Sequence, residues 1–197
     1  MSGRAMNFRS SATAFALLLA ACGPAGPPRE GPLSGARIGG PLTLVTQDGD
    51  RLAEQELAGK YRLIYFGYSY CPDVCPVDLQ KLMAGYALLE KQDPEAASKL
   101  QPIFVSVDPA RDTPARLATY VDAFHPRLIG LTGSDAEIAR VAKDYAIFYS
   151  KAGTGENYLM NHSRLAYLMG PDGKPIALIS HDAAPQKIAE ELKAWIA

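Results

Sequence analysis

The chain has 197 residues, 48% of them hydrophobic, with 20 Lys and Arg against 21 Asp and Glu for a net charge of −1. Near-neutral charge without a long basic run excludes a nucleic-acid binder, which needs clustered Lys and Arg on its surface. The length allows one domain with a real core and no need of disulfide staples, and only three cysteines are present.

The N-terminus reads as a leader. Arg4 and Arg9 precede an apolar run at 12–21 that is too short to cross a bilayer and ends in Leu19-Ala20-Ala21-Cys22. Together these features resemble a bacterial lipoprotein signal, in which Cys22 is acylated and becomes the new N-terminus; a start at Met6 keeps the pattern intact. Residues 23–41, GPAGPPREGPLSGARIGGP, are too rich in Gly and Pro for periodic burial and read as a flexible tether. The expected organisation is a signal peptide at 1–21, a tether from lipidated Cys22 through 40, and one domain at 41–197. Loss of Arg4 and Arg9 leaves 18 basic against 21 acidic residues, a net charge near −3. No second apolar run reaches membrane length, so the domain is expected on the periplasmic side, hung by lipid from the cytoplasmic membrane.

The first strand and hairpin are predicted from Leu42-Thr43-Leu44-Val45 and the turn residues 47–50. Residues 62–67 form a nearly continuous apolar run, the mark of a central strand covered on both faces. After Pro76, the positions Val77, Leu79, Leu82, Met83, Tyr86 and Leu89 follow helical spacing. Residues 102–107 predict the next buried strand, and Asp112-Thr113-Pro114 a cap opening a helix to about residue 124. A further strand is expected at 128–131 and a helix at about 134–147. Residues 164–169 and 176–180 flank Gly170-Pro171-Asp172-Gly173 as a hairpin, and a last helix carries Ile188, Leu192 and Ile196 on one side. This order predicts an α/β thioredoxin-like fold, a mixed central sheet with helices on both faces and an N-terminal β-hairpin extension.

The strand at 62–67 runs into Tyr68-Ser69-Tyr70-Cys71-Pro72-Asp73-Val74-Cys75-Pro76. On a regular helix, positions four apart share a face, and at a helix N-terminus the free N–H groups and the dipole favour thiolate over thiol. Two close thiolates bind a soft metal ion or close a disulfide. The loop that such a disulfide closes is very short and gains little stability, which argues against a purely structural staple. Residues 159–164 form a loop before the strand expected to face the cysteines. They contain no proline and offer His162. Two sulfurs and one imidazole make a poor structural zinc site, which normally takes four protein ligands, but suit low-coordinate Cu(I). His125, at a helix end before Pro126, and His181, in a polar loop, rank below it.

The segments YFGYSYCPDVCP at 65–76, SVDPARDTP at 106–114, and Asn161-His162-Ser163 followed by a strand and PDG resemble, in that order, the Sco/SenC family of copper-delivery proteins. The resemblance covers residues 41–197. It implies copper, as Cu(I) or Cu(II), held by Cys71, Cys75 and His162, and a role in assembling the dinuclear copper centre of cytochrome c oxidase. It further implies the copper-bearing oxidase subunit and other periplasmic copper carriers as partners. Many family members carry an acidic residue where this chain has Asn161. Asp73 is expected as a partner contact, an electrostatic tuner of the thiolates, or a solvated helix-start carboxylate. Asp108 and Asp112 are expected as caps and turn residues. The alternative function is a thiol-disulfide reductase, with Cys71 and Cys75 catalytic, that keeps the cysteines of the oxidase subunit reduced. A peroxidase of the peroxiredoxin type lacks support, because neither cysteine has a threonine three residues before it: position 68 is Tyr and position 72 is Pro.

Overall fold

A computed structural model of the chain describes Met1 and residues 30–196. The expected signal peptide, Cys22 and the first part of the tether lie outside the described residues. In chain order the elements are Val45–Thr46 (β1), a short 3-10 turn at Glu54–Leu57, Tyr61–Gly67 (β2), Val74–Gln92 (α1), Pro94–Ser98 (α2), Leu100–Ser106 (β3) and Pro114–Asp122 (α3). Ile129–Thr132 (β4), Asp135–Asp144 (α4), Tyr149–Ala152 (β5), Leu159–His162 (β6), Ala166–Met169 (β7), Pro175–Leu178 (β8) and Pro185–Trp195 (α5) follow.

The main sheet has the order β1-β4-β3-β2-β7-β8. β2 runs parallel to β3, and β3 parallel to β4, each joined by a helical crossover, while β7 and β8 add antiparallel strands on the other side. This mixed sheet is the expected thioredoxin-like arrangement. β2 and β3 are buried along their whole length, as their apolar runs require. Successive side chains of β2 point to opposite faces. Tyr65 bonds Asp78 of α1, whereas Phe66 packs on Tyr145 at the end of α4, with ring centroids 5.5 Å apart. Helices therefore cover both faces. α1 lies close against α5, and Gly85 makes that approach possible: a Cβ there would stand 2.5 Å from Ile188 Cγ2.

Four local expectations change. The stretch expected to be tether as far as residue 40 is, from residue 31 on, laid against the domain. Leu33 N–H donates to Ile176 O (3.0 Å), Gly39 N–H to Asp144 O (2.8 Å) and the Tyr145 hydroxyl to Gly40 O (3.1 Å), while Leu33 and Ile38 pack on the core. Two apolar side chains among the Gly and Pro residues are enough to dock it. Secondly, 159–162 is a strand rather than a loop, paired with β5 in a separate two-stranded ribbon in which Tyr149 faces His162. Thirdly, the cap of α3 is Thr113, whose hydroxyl accepts from Arg116 N–H, which frees Asp112 for another task. Finally, α1 begins at Val74, so Cys71 precedes the helix instead of sharing a face with Cys75.

Candidate metal centre

The two sulfurs are brought together by a turn at the end of the central strand. Cys71 N–H donates to Tyr68 O (3.2 Å), and the Cys75 N–H, in the first turn of α1, reaches Cys71 Sγ at 3.4 Å. A helix-start N–H aimed at sulfur stabilises negative charge on it. Cys75 is fully buried, Cys71 half-buried, and both are free thiols. Gly67, the last residue of β2, leaves room for this packing. A Cβ there would lie 3.0 Å from Phe104, 3.2 Å from Tyr65 and 3.3 Å from Cys75 Sγ.

His162, the last residue of β6, places Nε2 3.1 Å from Cys75 Sγ. Its Nδ1 lies 3.0 Å from the Ser163 carbonyl oxygen. A carbonyl only accepts, so Nδ1 donates in that contact and Nε2 is the ring atom turned to the sulfur. The edge of the ring meets Tyr68, with centroids 5.9 Å apart.

The two thiols are unlike. The hydrogen bond from the Cys75 thiol lowers Cys71 to about 3; burial opposes this, and His162 and the backbone N–H groups of Asp73 and Cys75 add to it. Cys75 moves the other way, raised by that same bond to Cys71 and by burial. The pair therefore favours the thiolate at Cys71 and the thiol at Cys75.

Beneath Cys75, one helical turn on, lies Asp78, which the sequence reading passed over. It is buried and accepts from the Tyr65 hydroxyl (2.8 Å) and from Arg164 Nε (2.9 Å) and Nη2 (2.7 Å). Burial opposes its ionisation, yet the Arg164 bonds first, then Tyr65 and His181, hold its carboxyl below the ordinary range. The detectable signal was a carboxylate on the apolar stripe of α1, beside Leu79 and Leu82. His181 Nδ1 stands 3.3 Å from Asp78 Oδ1, close enough to pair but poorly aimed for a hydrogen bond. His125 is remote from the sulfurs, paired with Glu90 at 3.0 Å and packed on Tyr86.

Asp108 and Asp112 are more than turn residues. Asp112 is fully buried and accepts from Ser69 N–H (3.0 Å), Ser69 Oγ (2.6 Å) and Ser106 Oγ (2.5 Å), fixing the backbone two residues before Cys71. Burial raises its pKa against those bonds. Asp108 accepts from the Tyr158 hydroxyl and Arg111 Nε, each at 2.6 Å. Asp73 is exposed at the N-cap of α1 and its carboxylate makes no capping bond.

Among the described residues no three His, Cys, Asp or Glu side chains stand as a finished metal cage. The Cys75–His162 contact and the adjoining Cys71 nevertheless put two soft sulfurs and one imidazole nitrogen close together. That donor set suits Cu(I) better than a hard cation, which takes oxygen ligands.

The SCO1/SenC family model matches residues 30–197. The mitochondrial SCO1 homolog 1 of Arabidopsis thaliana is 45% identical over 146 residues, covering 73% of this chain and 43% of that protein. The human mitochondrial SCO1 homolog is 37% identical over 157 residues, covering 79% and 52%. The chain thus spans about half the length of these two relatives. The structure of Bradyrhizobium japonicum ScoI with copper bound superimposes with a TM-score of 0.73 at 40% identity, covering 80% of this chain and 99% of that one.

Proposed function

The chain belongs to the SCO1/SenC family, and from that membership and its site we propose that it binds copper and serves the assembly of cytochrome c oxidase. Cys71, Cys75 and His162 are the ligands in this reading. The observation that carries it is the 3.1 Å approach of His162 Nε2 to Cys75 Sγ, with Cys71 Sγ alongside, held by the Cys75 N–H. Solved relatives that hold copper support it.

The Cys71 thiolate and His162 Nε2 are available at once, and Cys75 gives up its proton as the ion enters. Copper then leaves by ligand exchange, when an acceptor's thiolates replace these donors one at a time. The acceptor in this reading is the copper-bearing oxidase subunit, with other periplasmic carriers as donors or alternatives. A lipid on Cys22 would confine the domain near the membrane and raise the effective concentration of such partners. Metabolic labelling with a radioactive fatty acid, lost in Cys22→Ser, tests the anchor.

The decisive experiment is titration of the reduced protein with Cu(I) against a chromophoric chelator. Wild type takes up one equivalent, His162→Ala binds at least ten-fold more weakly, and Cys71→Ser/Cys75→Ser loses tight binding. Unchanged binding in these variants removes the reading. A half-exposed thiolate beside a buried thiol also favours a second activity, thiol–disulfide exchange, with Cys71 attacking and Cys75 resolving. It predicts reduction of the oxidase subunit's disulfide that survives His162→Ala.

A further inference from the structure

Beside the sulfurs, cations and tyrosines alternate along one edge of the site. The Arg111 guanidinium lies over Tyr158 at 3.6 Å, Tyr70 at 4.7 Å and Tyr68 at 5.9 Å. Arg116 covers the same Tyr70 ring at 4.7 Å, and Lys151 Nζ sits 3.7 Å from the centre of Tyr158. Tyr68 is the ring that meets His162, and Tyr70 immediately precedes Cys71, so this ladder begins at the metal centre.

Arg111 is the inner rung: it is largely buried, paired with Asp108 and bonded through Nη1 to Glu156 O, with Nη2 alone left without a hydrogen-bond partner. The outer rungs are less committed. Among the described residues neither Arg116 nor Lys151 meets a carboxylate; the Arg116 guanidinium hydrogen-bonds Ser69 and the Lys151 ammonium only stacks. Tyr70 is 47% exposed and, on the neighbouring ribbon, Leu159 is 48% exposed. A chain with an overall excess of acidic residues therefore presents a local cationic, aromatic surface where its cargo would leave.

We infer that Arg116, Lys151 and Tyr70, the exposed members of this ladder, backed by the largely buried Arg111 and Tyr158, are the docking surface for an acidic protein segment beside the acceptor's thiol pair. The inference rests on the copper-exchange reading of the site and names the chemistry of the partner. Like-signed rims repel and opposite ones steer encounter, so an acidic acceptor is captured in register with the sulfurs. A protein partner is favoured over a lipid surface by where the chain enters the domain. The chain docks from residue 31 on, through Leu33 on Ile176 of β8, which lies across β7 from Arg62 and Leu63 at the start of β2, whereas the ladder adjoins the end of β2, about 17 Å away at 3.3 Å per residue.

The test uses the chain in reduced, metal-free form and two synthetic peptides carrying Ser-x-x-x-Ser in place of a thiol pair, one flanked by Glu and the other by Gln. Amide chemical shifts are followed by NMR. The Glu peptide is expected to shift Tyr70, Arg111 and Lys151, to bind about ten-fold more tightly than the Gln peptide in low salt, and to lose that advantage at high ionic strength. Arg116→Glu/Lys151→Glu, checked for fold by circular dichroism, reverses the preference. Equal binding of both peptides, shifts elsewhere on the surface, or an unchanged preference in the variant overturns the proposal. Binding of anionic phosphatidylglycerol vesicles through the same residues, in place of the peptide, also overturns it. Because no copper is involved, a chain that failed to load Cu(I) would sink the copper reading and leave this result legible.

Discussion

Asp78 and Arg164 form a two-pronged ion pair, 2.7 and 2.9 Å, that ties the helix holding Cys75 to the residue two past His162. The carboxylate is buried and the guanidinium is partly open to solvent. The pair therefore ties α1, which holds Cys75, to the end of β6, which holds His162.

Arg164→Ala leaves Asp78 with Tyr65 and His181 as its remaining neighbours. A fully buried broken pair costs about 3–5 kcal/mol, and the exposure of Arg164 reduces this to about 1–3 kcal/mol. Urea unfolding measures the loss. The same variant should weaken Cu(I) binding several-fold, because His162 is no longer held against Cys75. Asp78→Asn/Arg164→Gln, which restores a neutral hydrogen-bonded pair, should recover part of both; failure of the metal affinity to move would limit the clamp to a structural role.

The thiolate at Cys71 should be visible in the reduced apoprotein. Its folded value, about 3, lies far below the free-thiol value of 9.0. The folded state therefore binds fewer protons than the unfolded chain between those limits. The stabilising contribution is complete above pH 9 and is lost as pH falls through about 3. Absorbance at 240 nm should report one thiolate per molecule across pH 5–7. Cys75→Ala, which removes the largest cause of the shift, should raise the midpoint more than His162→Ala does. A midpoint near that of an ordinary thiol in wild type contradicts the assignment.

Gly67→Ala introduces a methyl group 3.0 Å from Phe104 and 3.3 Å from Cys75 Sγ, in a buried strand with no room to spare. Overpacking of this kind costs about 1–3 kcal/mol. Thermal unfolding gives the destabilisation, and Cu(I) competition should show weaker binding as Cys75 is pushed aside.

Asp112→Asn keeps the shape of the side chain but replaces one acceptor oxygen with a donor among Ser69 N–H, Ser69 Oγ and Ser106 Oγ. An unsatisfied buried donor costs about 1–3 kcal/mol. The effect should reach Cys71 through Ser69, seen as a faster, less selective alkylation of Cys71 by iodoacetamide.

Much of the architecture was written in local pattern. The apolar runs at β2 and β3 allowed only strands covered on both faces, and the three-and-four spacing after Pro76 allowed only a helix. The ribbon strand at Leu159–His162 escaped, because its alternation carries an exposed Leu159 and Asn161 and its partner strand is polar. The docked stretch at 31–40 escaped because Gly and Pro density hides two apolar anchors, Leu33 and Ile38. In the site, Cys71, Cys75 and His162 were legible by residue type. Asp78 with Arg164, and Asp112 with Ser69 and Ser106, were hidden: their partners are 86, 43 and 6 residues away, beyond what spacing reveals.

The sequence by itself determined the main strands and helices and which side chains are candidates for soft-metal chemistry, since periodic burial and donor type are properties of neighbouring residues. Only the tertiary structure decided that Cys71 precedes α1 and favours the thiolate, that His162 turns Nε2 to Cys75, and that a cationic ladder borders them. Those outcomes depend on segments up to 87 residues apart meeting at the end of one buried strand, where solvent exclusion and hydrogen bonds set the charge on each atom.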